Sequence, residues 1–322
     1  MRLGQGVTEK MYICNAMKKQ LLWGMSLLFV VSCNTGHETE MVRGAYYWST
    51  TFALDSTQQA FLSTHRISRL YVRYFDVVDN REGQAVPNAT IDFRSAIPKG
   101  IEIVPTIYIL NDCMRHEEPD LAEKLLKRVL QMNETNDIPK IRELQIDCDW
   151  TASTRQRYYD FLRELRERAA QQGIVLSTTI RLHQLSMEIP PVERGTLMMY
   201  NTGDFRRLDD HKPILDMAVV RPYLRHLKRY ALTLNTAYPL FKFRLLFRRG
   251  RFVGVIHNKD EYPILSTDSI ITRMPALGDI IDARNAVEAM RPDANNEIIL
   301  YDMSTDNLTR FNPSEYEKIY HP

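Results

Sequence analysis

The sequence predicts an α/β fold of the TIM type, a (β/α)8 barrel with a β-hairpin inserted near residues 241–256. Three observations lead to this prediction. Eight apolar, strand-like segments recur along the chain, stretches with helical spacing separate several of them, and polar and aromatic residues stand where the segments end. Strands that alternate with helices build parallel βαβ units, and eight such units in about 280 residues fit a closed barrel better than an open sheet.

The eight segments are rich in β-branched and aromatic residues, and turn or helix signals bound each of them. In chain order they are residues 45–51, 69–77, 101–110, 144–149, 174–180, 196–200, 230–237 and 297–302. Apolar runs without polar alternation, such as residues 298–300, are typical of parallel strands that are covered on both faces.

The helices between these segments begin at recognisable capping residues. In chain order, the signals are Asp55 or Ser56 before Phe61, Pro119 before Leu125, Ser153 or Thr154 before Leu162 with Gly173 at the end, and a helical stretch over 280–290. Residues 241–256 alternate apolar and basic residues around Arg249 and Gly250, which is typical of a β-hairpin with solvated arginines. The irregular stretch 204–229 is a candidate loop over the barrel mouth.

The first 33 residues have the features of a secretory leader. Lys18 and Lys19 open a short basic region, residues 21–31 are an apolar run too short to span a bilayer, and small residues precede Cys33. The four residues that end in Cys33 resemble the lipobox of bacterial lipoproteins. This resemblance implies cleavage before Cys33, acylation of that cysteine and attachment to a membrane. The alternative is a short helix lying on the membrane, followed by an ordinary cysteine.

We therefore predict four parts of the chain. Residues 1–16 are interpreted as an extension before the true start at Met17, residues 17–32 as a lipoprotein signal peptide, residues 33–42 as a lipidated tether, and residues 43–322 as one barrel domain. Asn34 is not the aspartate associated with retention in the inner membrane, so we expect an extracytoplasmic protein of the outer membrane.

Composition excludes several other classes of protein. With 44% hydrophobic residues and balanced charge, the chain is not of the disordered class. Loss of residues 1–32 removes four basic residues and one acidic residue from totals of 42 and 40, so no basic surface for nucleic acid is expected. Cys113 and Cys148 then remain, either as two buried thiols or as a disulfide bridge.

The sequence predicts no cofactor and no metal. A glycine-rich phosphate loop does not follow the first segment, and the chain contains no Gly-x-Ser-x-Gly, His-Glu-x-x-His or Cys-x-x-Cys motif.

The segment that ends in Asp147 and Asp149 is the most informative for chemistry. Residues i and i+2 of a strand point to the same face, about 6.6 Å apart. Two neighbouring carboxyl groups in a dry site raise the pKa of one of them, which suits proton transfer or stabilisation of a cation in glycosyl transfer. The alternative is that both bind neighbouring arginines or cap the helix that follows.

This segment resembles the fourth-strand motif of family 18 glycoside hydrolases, Asp-x-Asp-x-Glu. Asp147 and Asp149 match the two aspartates, but Thr151 stands at the position of the catalytic acid and cannot protonate a leaving group. The family mechanism therefore does not transfer, and whether the chain is an enzyme stays open at this point.

A wider resemblance, over most of residues 43–316, is to a family of uncharacterised bacterial lipoproteins that are predicted to form glycosidase-like barrels. The pieces that carry it are Tyr47-Trp48, residues 71–76, residues 145–149, residues 176–179, residues 251–254 and residues 299–302. The resemblance implies the barrel fold and a function related to saccharides.

Functional groups of a (β/α)8 barrel stand at the carboxyl ends of its strands. On this ground the candidate catalytic residues are Asp147, Asp149, Asp76 and Asp302. The candidate substrate-binding residues are Trp48, Tyr47, Arg73, Arg181, Tyr200, Asn201, Asp204 and Tyr238. The predicted function is a membrane-anchored protein that acts on a carbohydrate in the manner of a glycoside hydrolase. The alternative is a non-catalytic surface lipoprotein that binds a glycan or a partner protein.

Overall fold

The computed structural model describes residues 41–80, 82–258 and 260–321. The strands in these residues are, in chain order, β1 (Val42–Tyr47), β2 (Thr51–Phe52), β3 (Arg69–Asp79), β4 (Ala85–Asn88), β5 (Asp92–Phe93), β6 (Glu102–Ile109), β7 (Glu143–Cys148), β8 (Val175–Arg181), β9 (Arg194–Met198), β10 (Thr233–Pro239), β11 (Phe243–Arg248), β12 (Arg251–Val255), β13 (Asp268–Arg273) and β14 (Glu297–Tyr301).

Eight of these strands form a closed parallel barrel. The hydrogen-bonded order is β1-β14-β10-β9-β8-β7-β6-β3, and β1 also pairs with β3, which closes the ring. β4 adds to β3 as an antiparallel strand outside the ring. The predicted (β/α)8 fold is therefore confirmed.

Helices follow most of the barrel strands. They are α1 (Ser56–Thr64), α2 (Leu121–Thr135), α3 (Arg155–Gln171), α4 (Met217–Leu224), α5 (Leu277–Met290), α6 (Thr305–Leu308) and α7 (Pro313–Tyr320). α1 begins with the predicted cap: the side chain of Asp55 accepts from the backbone N–H of Gln58 at 2.8 Å, and Gln58 accepts in return from the N–H of Asp55. α3 buries the predicted apolar stripe, including Leu162 and Leu165, against the barrel.

Some boundaries differ from the prediction. The seventh barrel strand begins at Thr233 rather than at residue 230, because a short 3₁₀ turn over Leu227–Arg229 ends at Tyr230. The first strand covers residues 42–47, earlier than predicted. Such shifts at the ends of elements leave the order of the eight strands unchanged.

The inserted hairpin is confirmed, and it belongs to a larger sheet. β11 and β12 pair around Arg249 and Gly250, and both of these residues have positive φ angles. A tight two-residue turn needs such angles to match the twist of the two strands. β13 pairs along the other side of β11 and was not predicted. Four of its six residues are polar, and all six are partly buried or exposed, so its hydrophobic pattern is weak.

Charged side chains fill the amino end of the barrel. Glu297 accepts from Arg69 at 2.9 Å, from Asn235 at 2.7 Å and from the hydroxyl of Tyr71 at 2.8 Å. Glu143, which is also buried, pairs with Arg69 and Arg194. Burial raises the pKa of Glu297 to about 7, because desolvation of its carboxylate outweighs the attraction of Arg69.

The predicted leader and tether up to residue 40, with Cys33, lie outside the described residues. Within the described ranges, no helix combines the length and apolar character that crossing a bilayer requires. Cys113 and Cys148 are both buried free thiols, so the first of the two alternatives for this pair is observed.

Candidate functional site

A cavity of about 810 Å³ opens at the carboxyl ends of the barrel strands. Its volume falls in the range of sites for small organic ligands. Six aromatic side chains line it: Trp48, Tyr108, Tyr200, Phe241, Phe243 and Tyr301. The barrel supplies four of these rings, and the segment after β10 supplies the two phenylalanines. The cavity therefore joins the barrel mouth to the inserted sheet.

Asp147, Asp149 and Arg181 meet in this cavity and share one set of hydrogen bonds. Arg181 donates from Nε to Asp149 Oδ1 at 2.6 Å and from Nη2 to Asp147 Oδ1 at 3.1 Å. The hydroxyl of Thr179 donates to the same oxygen of Asp147 at 2.6 Å. The predicted same-face acid pair is thus present, with one arginine between the two carboxylates.

Local strand geometry explains this meeting. Asp147 lies on β7 and Thr179 on the neighbouring β8, while Arg181 is the last residue of β8. Residues 179 and 181 are two apart, so both side chains point into the barrel on the side of Asp147. Asp149 follows the end of β7 and is largely exposed to the cavity.

Burial raises the pKa of the Asp147 carboxyl above its ordinary value. Desolvation is the main cause, Arg181 and Thr179 oppose it, and the negative charges of Asp149 and Asp76 add to it. Within the described part of the chain, the hydrogen bonds to this carboxyl group all go to Oδ1. Oδ2 is therefore available to a ligand.

Trp48 lies at the centre of the aromatic wall. Its ring centroid is 5.5 Å from that of Tyr301, and the guanidinium of Arg73 lies 5.6 Å from it. Arg73 also donates from Nε to Asp76 Oδ1 at 2.7 Å. Asp76 is buried and does not line the cavity, although its negative charge lies near Asp147. This candidate acid is therefore paired with Arg73 and lies behind the cavity wall.

Tyr200 and Tyr301 stack with their centroids 5.2 Å apart, and Phe241 packs edge-on against both. Asn201 follows Tyr200 and lines the cavity, as predicted. Asp302 also lines it and accepts from the backbone N–H of Ser304 and from Asn307, both at less than 3 Å.

Three of the predicted binding residues do not line the cavity. Tyr47 points out of the barrel, packs on Phe52 and donates to Thr51 O at 2.7 Å. Tyr238 is fully buried and donates to Asn295 at 2.8 Å. Both lie outside the cavity because alternate residues of a strand face opposite sides, and the inward positions belong to their neighbours. Asp204 is half-exposed and binds Arg206 in its own turn.

Residues 204–229 do not line the cavity, contrary to the prediction. Phe205 packs instead against Phe243 and Phe252, with centroids 4.8 and 5.7 Å apart, so this segment supports the inserted sheet. Thr151, which stands at the acid position of the motif that the sequence resembles, lies exposed in the turn before α3 and binds Thr154 there. It does not line the cavity either.

The prediction missed Tyr108 and Tyr301. Tyr108 stands directly beside Asp147 in the register of β6 and β7. Burial raises the pKa of Tyr108 to about 12, with a contribution from the charges of Asp149 and Asp147. The strand parity that pointed to Asp147 would have found Tyr108, had the register of the two strands been known.

No group of three or more His, Cys, Asp or Glu side chains placed to hold a metal ion occurs among residues 41–80, 82–258 and 260–321.

No protein-family model matches this chain, and no curated protein matches it significantly. Solved structures with the same fold do exist. A chitinase from Chromobacterium violaceum ATCC 12472 is 10% identical, with 88% of this chain and 99% of that chain covered and a TM-score of 0.58. The spore cortex-lytic enzyme SleL of Bacillus megaterium QM B1551 is 10% identical, with 87% and 73% covered and a TM-score of 0.56.

A Group IV chitinase from Ostrinia furnacalis is 12% identical, with 87% of this chain and 98% of that chain covered and a TM-score of 0.51. At such low identity the likeness concerns the fold. It agrees with the (β/α)8 barrel fold that the sequence predicts.

Proposed function

We propose that this chain is a carbohydrate-binding protein whose barrel cavity holds an oligosaccharide. One observation carries the proposal: six aromatic side chains line the same cavity as the hydrogen-bonded group of Asp147, Arg181 and Asp149. Aromatic rings pack against the apolar faces of sugar rings, while carboxylates and guanidinium groups bind hydroxyls.

The roles of the residues follow from their positions. Trp48 and Tyr301 offer ring faces or edges to a sugar, and Tyr108 offers a hydroxyl beside Asp147. Oδ2 of Asp147 and the exposed carboxylate of Asp149 can accept from sugar hydroxyls. Because Arg181 is bound to both acids, a ligand meets a preformed polar group and little ordering is needed on binding.

Chitin oligosaccharides are the first probes, because chitinases are among the solved structures with this fold. This choice is an analogy from fold.

Hydrolysis is a second candidate function, and the state of Asp147 favours it. A carboxyl group with a raised pKa and one available oxygen is suited to move a proton during cleavage of a glycosidic bond. Thr151 supplies no acid, so we assign the proton transfer to Asp147, with Asp149 stabilising positive charge on the sugar.

A glycan array, followed by titration and product analysis of each hit, tests both candidates. We expect Trp48→Ala to weaken binding at least about tenfold, since it removes an aromatic contact. Asp204→Asn, which changes an acid outside the cavity, is the control and should bind normally. If no glycan binds, or if Trp48→Ala binds as the native protein does, the proposed function is wrong.

Product formation separates binding from hydrolysis. If the native protein releases shorter sugars and Asp147→Asn binds the same glycan without releasing them, the protein is a hydrolase that uses Asp147. If the native protein binds and never cleaves, it is a binding protein.

We also propose that Cys33 carries a lipid that tethers the barrel to the outer membrane on its extracytoplasmic side. The basic residues, apolar run and small residues before Cys33 support this location. In cells fed a labelled fatty acid, the native protein should incorporate label and Cys33→Ala should not. Equal labelling of both, or none in the native protein, would contradict the proposal.

A further inference from the structure

The cavity holds four lysine and arginine side chains, and three of them are neutralised by carboxylates. Arg181 binds Asp147 and Asp149, Arg73 binds Asp76, and Lys242 binds Asp306 at 2.8 Å. The fourth is Arg244 on β11. Within the described part of the chain, its guanidinium makes no ion pair and no hydrogen bond.

The inserted sheet holds the backbone of Arg244 in place. Its carbonyl accepts from the N–H of Ile256 at 2.7 Å, and it stands opposite Thr272 in the register of β11 and β13. Ile256 and His257 line the same wall of the cavity. A strand holds the backbone from which a side chain extends better than a loop does, so the exposed side chain of Arg244 starts from a fixed point on the cavity wall.

We infer that the inserted-sheet end of the cavity binds an anionic substituent of the saccharide through Arg244. This inference rests on the proposed function and names the class of ligand: an oligosaccharide with a carboxylate or sulfate group. A guanidinium presents paired N–H donors that match the oxygens of such groups. A guanidinium without a carboxylate partner can bind an anion without first breaking an ion pair. The exposed imidazole of His257 offers a further donor on the same wall.

Asp302 limits where the anionic group can lie. It lines the cavity and its hydrogen bonds come from neutral donors, Ser304 and Asn307, so its charge is not cancelled by a cation. The anion is therefore expected near Arg244, with sugar hydroxyls near Asp302. Removal of the Asp302 charge should strengthen binding of an acidic sugar, whereas removal of the Arg244 charge should weaken it.

The test compares three oligosaccharides of equal length: a neutral chitin oligosaccharide, its derivative with one C6 carboxylate, and its derivative with one 6-sulfate. Dissociation constants are measured by calorimetry for the native protein and for Arg244→Ala, Arg251→Ala and Asp302→Asn. Arg251 is the matched control, because it is exposed on the same hairpin and does not line the cavity.

We expect the better of the two acidic sugars to bind about tenfold more tightly than the neutral one, as one charge-assisted contact at a partly exposed site allows. Arg244→Ala should remove this preference, Arg251→Ala should keep it, and Asp302→Asn should increase it. The preference should also shrink at high salt, because the contact is partly exposed. The derivative that binds more tightly, with the carboxylate or with the sulfate, identifies the anionic group that this end of the cavity binds.

The failures are distinguishable. If the neutral and acidic sugars bind equally, or if Arg251→Ala lowers the acidic preference as much as Arg244→Ala does, the inference about Arg244 is wrong and the proposed function stands. If none of the three sugars binds and no other glycan on the array does, the proposed function fails and the inference fails with it.

Discussion

Replacement of Arg181 by methionine tests the polar centre of the cavity, because this side chain binds both acids. The side chain of Arg181 is 17% exposed, that of Asp147 8% and that of Asp149 55%. The pair with Asp149 is close to solvent and contributes at most about 1 kcal/mol to the free energy of unfolding. The pair with Asp147 is buried, and loss of one partner from such a pair costs about 3–5 kcal/mol.

The cost in Arg181→Met should stay near the lower end of that range, about 3 kcal/mol, because Asp147 can take up a proton and keeps its hydrogen bond from Thr179. The direction in which this cost changes with pH follows from the pKa of Asp147. Without Arg181, the folded-state pKa of Asp147 lies still further above its unfolded value, so the folded state binds the proton more tightly. The deficit against the native protein should therefore be small near pH 4 and grow as the pH rises to neutral.

Urea denaturation followed by circular dichroism measures these free energies. Asp147→Asn in the Arg181→Met background removes the buried charge, so the double variant should recover about 2 kcal/mol relative to the sum of the single changes. Arg207→Met is the control, since it breaks an exposed pair with Asp209 and should cost less than about 1 kcal/mol. A cost of Arg181→Met no larger than that control, or one independent of pH, would refute this reasoning.

Three further predictions concern stability. The folded-state pKa of Glu297 is raised to about 7, so the native protein should lose up to about 3 kcal/mol of stability as the pH rises from 4.5 to 7. Urea titrations at several pH values should show a smaller pH dependence for Glu297→Gln. An unchanged pH dependence would contradict this prediction. Gly195→Ala places a Cβ 2.8 Å from Ile180 and 2.9 Å from Leu232, so it should lower the free energy of unfolding by about 1–3 kcal/mol, and a neutral result would argue against this packing. Tyr47→Phe should cost about 1 kcal/mol through its lost hydrogen bonds and leave glycan affinity unchanged, whereas a large loss of affinity would place Tyr47 in the site.

The fold could be predicted because its signals are local. Each barrel strand has its own apolar run, and caps such as Asp55 lie next to the helices they begin. The acid pair of Asp147 and Asp149 could be found for the same reason, since residues i and i+2 of one strand need no knowledge of the neighbouring strands.

The remainder of the site depends on how strands pair and which face points inward. Tyr46 and Tyr47 are equally aromatic, but Tyr46 faces the barrel interior and binds Gln145, while Tyr47 faces outward and packs on Phe52. Tyr108 joins the site through its register with Asp147, which no single segment encodes. Arg244 lines the cavity because the inserted sheet lies at the barrel mouth, and the hairpin pattern by itself indicated only a solvated face.

The most direct test of the central claim is the fluorescence of Trp48 during titration with the glycan that the array selects. Trp48 lies in the cavity wall, whereas Trp150 is buried against α3. We expect a saturable change in emission that disappears in Trp48→Phe, while calorimetry shows that this variant still binds the glycan. If calorimetry shows binding but the emission of the native protein does not change, the sugar lies outside the barrel cavity and the proposed site is wrong.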